Sequence, residues 1–92
     1  MNLLSKLFGS ANKYNDAQLV SQAMTSITND PMLSDPNALI ATSKNGVLTL
    51  SGIVQRRQEK ERIEGVVRNA LTAVGLKHER IINDLKLPPS AE

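Results

Sequence analysis

The tightest local constraint in the chain runs from Asn45 to Val54, reading Asn-Gly-Val-Leu-Thr-Leu-Ser-Gly-Ile-Val. An Asn-Gly pair readily supplies the positive φ that a two-residue hairpin turn requires. Strand-forming residues flank it, so Leu39 to Ser43 are expected as the incoming strand and Val47 to Val54 as its return. Alternation along the return strand puts Leu48, Leu50, Gly52 and Val54 on one face and Val47, Thr49, Ser51 and Ile53 on the other. The first set is the better core face. A glycine within that row marks a bend or a close backbone approach, with the packed helix as the expected neighbour.

Helical periodicity flanks this hairpin. Upstream, Leu19, Val20, Ala23, Met24 and Ile27 recur at helical spacing, and Asn15 or Asp16 offers the N-cap, so a helix is expected over about residues 16–28. Asp30-Pro31 closes it, because the residue before proline is pushed out of the helical region. Asp30 and Asp35, each preceding a proline, read as turn residues rather than as a cation site. Downstream, Ile63, Val66, Val67, Ala70, Leu71 and Val74 form a full apolar stripe over about residues 56–73. On its exposed side, Glu59 with Arg62 and Glu64 with Arg68 are spaced to pair. Gly65 costs helix stability, which close packing on the sheet would justify, and Gly75 is placed as the stop signal. A last strand, about residues 80–87, puts Ile81, Asn83, Leu85 and Leu87 on one face and ends at Pro88-Pro89.

The order helix, strand, strand, helix, strand predicts an α+β two-layer sandwich: a three-stranded mixed sheet with two helices on one face. A helix linking two parallel strands should make a right-handed crossover. Residues 1–14 form an N-terminal segment, residues 15–88 the domain and residues 89–92 a tail. In the N-terminal segment Leu3, Leu4, Leu7 and Phe8 share one face of a candidate short amphipathic helix. It is either a turn packed on the domain or a foothold for a membrane or partner.

Composition narrows the function. At 92 residues, 40% hydrophobic and 22% charged, the chain is sized for one small globular domain. One Phe, one Tyr and no Trp leave little for stacking bases, and a net charge of +2 supplies no strong basic patch, which argues against nucleic-acid binding. The absence of cysteine removes disulfides and thiolate chemistry. A single histidine, His78 in a polar loop, has no partners in sequence for catalysis or metal binding, and no phosphate-binding glycine loop precedes a helix. The reading is therefore non-enzymatic, with no metal and no cofactor. No stretch approaches the roughly 18 apolar residues of a membrane span. The broken apolar run at residues 3–8 does not read as a secretory leader. A cytoplasmic protein is expected, or a periplasmic one if the N-terminus is incomplete.

Two segments together resemble a known family. Gly46-Val47-Leu48-Thr49-Leu50-Ser51-Gly52-Ile53-Val54, followed by the charged Glu59-Lys60-Glu61-Arg62, is similar to the first half of the BON domain pattern. The family takes its name from bacterial osmotically induced and nodulation proteins. Gly75-Leu76 and Ile81-Ile82-Asn83-Asp84-Leu85 resemble its second half. Gly46, Leu48, Leu50, Gly52, Val54, Gly75, Asn83 and Leu85 are thus the structural signature, and the resemblance spans about residues 15–87. The spacer from Gly75 to Ile81 is about two residues longer than the pattern, as a bulge or a longer loop would make it.

The resemblance implies a binding module associated with anionic phospholipid surfaces and envelope stress. Arg56, Arg57, Lys60, Arg62 and Arg68 are the candidate lipid-binding or anion-binding residues. Interleaved Glu59, Glu61 and Glu64 are equally what a solvated helix face carries. Cytoplasmic relatives that join this domain to a LysM domain look like potassium sensors, which implies potassium as an alternative ligand held by backbone carbonyls. A third alternative is a protein–protein adaptor or homo-oligomer, using the open face of the sheet, where Ile53 and Ile82 point outward.

Overall fold

The computed structural model describes residues 14–33 and 35–89. The residues of the candidate N-terminal helix, Leu3, Leu4, Leu7 and Phe8, lie outside the described residues. Helix α1 (Asp16–Thr28) leads through a 3-10 turn (Pro36–Ala38) into strands β1 (Leu39–Lys44) and β2 (Val47–Ile53). Helix α2 (Arg57–Ala73) and strand β3 (Arg80–Lys86) follow. The sheet order is β1-β2-β3. β1 and β2 pair antiparallel, from Lys44 opposite Val47 to Leu39 opposite Gly52. β2 and β3 pair parallel, from Val47 beside Arg80 to Ile53 beside Lys86. This is the α+β sandwich with a mixed sheet that the periodicities imply.

Both helices cover the same face. Leu19, Ala23 and Ile27 of α1 and Ile63, Val67 and Leu71 of α2 enter one core with Leu39, Ala41, Leu48, Leu50, Val54 and Leu85. The opposite face carries Ile40, Ile53 and Ile82, which are 59%, 48% and 38% exposed. Loop residue Leu33 also joins the core. Its isolated position in the sequence gives no periodicity to find it by. Val74, the last residue of the expected apolar stripe, is exposed, because the helix has ended and Leu76 packs on the core instead. The end is a Schellman motif: the Leu76 N–H donates to the Leu71 carbonyl at 2.9 Å and the Gly75 N–H to that of Thr72 at 3.1 Å.

At the hairpin tip Asn45 and Gly46 both take positive φ, 52° and 84°, as a two-residue turn between twisted strands demands. Asn15, not Asp16, caps α1, accepting from the Gln18 N–H at 3.0 Å. Asp16 is turned to the tip. Its carboxylate accepts from the Asn45 N–H (2.8 Å), the Gly46 N–H (2.9 Å) and the Ser43 hydroxyl (2.7 Å). The Tyr14 ring lies on Gly46 so closely that a Cβ there would stand 2.6 Å from it. The Tyr14 hydroxyl donates to Glu79 at 2.6 Å, which raises its pKa above the ordinary phenol value. The long spacer after Gly75 is used here: it brings the Glu79 N–H onto the Gly46 carbonyl at 2.8 Å.

Gly52 does mark a close approach, though not to either α-helix. A Cβ at Gly52 would collide with the Ala38 carbonyl oxygen, and the φ of Gly52 is 121°. The crowding partner is the entry to the neighbouring strand. Gly65 has no such reason, since nothing lies within 4 Å of where its Cβ would be.

Candidate anion-binding surface

The first turn of α2 gathers three of the five candidate cations. Arg56 and Arg57 are exposed and Lys60 is half-buried. The acid between them is withdrawn. Glu59 is only 6% exposed, and its Oε1 accepts from the N–H groups of Gln55 (2.9 Å) and Arg56 (3.1 Å). This half of a capping box fastens the start of the helix by satisfying amides just before it. The expected Glu59–Arg62 pairing therefore gives way: Glu59 serves the backbone, and Arg62 turns to a different acid.

That acid is Asp30, in the loop after α1. Arg62 grips it with two nitrogens, Nε to Oδ2 and Nη2 to Oδ1, both at 2.8 Å. Asp30 is 8% exposed and also accepts from the Met32 N–H at 2.9 Å. The Arg62 fork holds the Asp30 carboxyl below the ordinary carboxylate range, and Asp30 in turn raises the Arg62 pKa. The fork ties the loop after α1 to the middle of α2. Sequence reasoning read Asp30 as a turn residue and missed this, since nothing local links positions 30 and 62.

Arg68 lies eleven residues beyond Arg57, about 16 Å along the helix. It pairs with Glu64 at 2.6 Å, as the i,i+4 spacing implies. Glu64 also accepts from Asn83 Nδ2 at 3.1 Å, and Arg68 first, then Asn83, lower its pKa. Asn83 Nδ2 donates to the Lys60 carbonyl as well, at 2.8 Å, and its Oδ1 accepts from the Leu85 N–H at 3.2 Å. Asn83 is thus a polar bolt between β3 and α2. Its signal in sequence is a polar residue in the inward row between Ile81 and Leu85.

Arg57, Lys60, Glu61 and Asn83 line an open groove of about 310 Å³ between α2 and β3. Arg56 opens with Met32, Gln58, Glu59 and Arg62 onto a second groove of about 380 Å³. Glu61 is the one exposed acid of this turn. His78 stands in its loop with Nδ1 3.3 Å from the Leu76 carbonyl oxygen. Among the described residues no group of three or more His, Asp or Glu side chains is placed to hold a metal ion. None of their helices is long and apolar enough to cross a membrane.

Fold and surface together define a small α+β domain whose polar side chains chiefly hold backbone or one another, with a basic rim where α2 begins. The family model described as BON domain matches residues 15–87 of the 92, and the chain belongs to that family. Among curated proteins none is significantly similar to it. Family membership is consistent with a non-enzymatic binding module.

Proposed function

We propose that this domain docks on anionic phospholipid surfaces through the first turn of α2, with Arg56, Arg57 and Lys60 as its contacts. The observation that carries this reading is the inward turn of Glu59. It withdraws from the surface one of the acids that alternate with the cations, and Arg68 engages a second, Glu64. The three cations then stand beside Glu61 alone among exposed acids of that turn. They also flank the amide end of the helix, where the dipole favours negative charge. Arg62 and Arg68 are supporting residues in this reading, since each is engaged by a carboxylate of its own.

Co-sedimentation with phosphatidylglycerol vesicles and with phosphatidylcholine vesicles tests it. The protein pellets with the anionic vesicles and not with the neutral ones. The triple variant Arg56→Ala, Arg57→Ala, Lys60→Ala loses roughly 100-fold in partitioning at about 1 kcal/mol per cation, while Arg68→Ala changes it little. Equal and negligible pelleting on both vesicle types would overturn the reading.

A further inference from the structure

The outer edge of β3 has the chemistry to pair with itself. The Val54 N–H donates to the Lys86 carbonyl and the Arg80 N–H to the Gly46 carbonyl, so even-numbered positions of β3 turn their amides toward β2. Parallel pairing turns the odd positions, Ile81, Asn83 and Leu85, to the free edge. The Leu85 N–H is already taken there by Asn83 Oδ1. Among the described residues, that leaves the N–H and C=O groups of Ile81 and Asn83 as the open stretch.

We infer that a second copy of this chain adds antiparallel along β3, about a two-fold axis at Ile82. In that register Ile81 of one copy faces Asn83 of the other, twice, so the open amides satisfy one another without needing the blocked Leu85 N–H. On the uncovered face of the sheet, Ile82 meets Ile82, and Arg80 meets Asp84 on either side of it. Among the described residues of one copy, Asp84 pairs only with the exposed Lys86, at 3.0 Å. On the helix side, α2 leaves the groove of about 310 Å³ beside Asn83, so the strand edge is not closed over at the point of pairing.

Charge selects this register and this edge. Shifting the axis to Asn83 sets Arg80 against Lys86, a like-charge pair formed twice, and Ile82 against Asp84. On the other edge strand, an axis at Thr42 sets Ile40 against Lys44. An axis at Ala41 sets Ile40 against Thr42, with no ion pair. Only the Ile82 axis joins apolar to apolar and opposite charge to opposite charge. It also covers Ile82, an exposed isoleucine on the face without helices. The pairing edge adjoins the first turn of α2 across the groove lined by Arg57, Lys60 and Asn83, but it rests on backbone groups and on Arg80, Ile82 and Asp84, none of which is a proposed lipid contact, so neither proposal depends on the other.

Sedimentation equilibrium over micromolar to millimolar protein tests it, with far-UV circular dichroism to verify that each variant is folded. The wild-type chain forms a dimer. Arg80→Asp and Asp84→Arg each set like charges together twice and raise the dimer dissociation constant about tenfold or more. The double variant Arg80→Asp, Asp84→Arg restores opposite charges at both places and returns the constant to near the wild-type value. A monomer at every concentration overturns the inference. So does a dimer indifferent to the single substitutions, a double variant that is not rescued, or an Arg80→Asp variant that associates more tightly, as the Asn83 axis would require.

Discussion

The segment from Asn45 to Val54 and the first turn of α2 are neighbours in sequence and opposite in use. In the hairpin segment, side chains and backbone are gripped from elsewhere in the fold. Asp16 holds both turn amides, Tyr14 covers Gly46, and the backbone at Ala38 crowds Gly52. In the first turn of α2 the buried member, Glu59, works inward, while Arg56 and Arg57 extend into solvent. The motif-bearing stretch is thus committed to architecture. The stretch with no motif beyond its charges is the one with side chains to offer a ligand.

Substitutions can break that contrast. Gly52→Ala has the largest expected effect, about 3–5 kcal/mol of lost stability in urea denaturation, because it adds both strain at positive φ and a clash with the Ala38 carbonyl. Asp16→Ala releases three hydrogen bonds to one carboxylate and should cost about 2–3 kcal/mol. If it were neutral, the tip would not be held from outside and the contrast would fail.

Asp30 sharpens the comparison through pH. Its folded pKa is depressed, so its contribution is fully present above the unfolded carboxylate value near 4 and is lost as pH falls through the lower folded value. Asp30→Asn should therefore lower stability at neutral pH and flatten the acid limb of the stability–pH curve. Gly65→Ala should raise stability by up to about 1 kcal/mol, since the site is open and helical. The Arg56, Arg57, Lys60 triple alanine variant should fall within about 0.5 kcal/mol of wild type in the same denaturation series. A large loss there would mean that these cations are structural after all.

The fold was legible because its signals are local. A turn dipeptide, two alternating strands and two apolar stripes each declare themselves within a few residues, and together they give element order and sheet type. The candidate site was legible only as a set of charges. Which of them are engaged depends on contacts at long range, such as Arg62 on Asp30 and Asn83 on Lys60 and Glu64, which no window of sequence contains. Gly52 lies between these cases. Its row shows that something comes close, but the neighbour, the backbone of Ala38, follows from strand register rather than from helix packing.

The carboxylate of Asp16 spans 29 and 30 residues of chain to reach the Asn45 and Gly46 amides. Tips of hairpins ordinarily surrender their amide protons to solvent deuterium early, by local fraying. In this molecule those two protons are held by a carboxylate at the start of α1, so lifting that helix start releases both. Their exchange rates therefore report on the docking of the first helix, and a mass or NMR measurement at two amides becomes a gauge of how the N-terminal third of the domain opens.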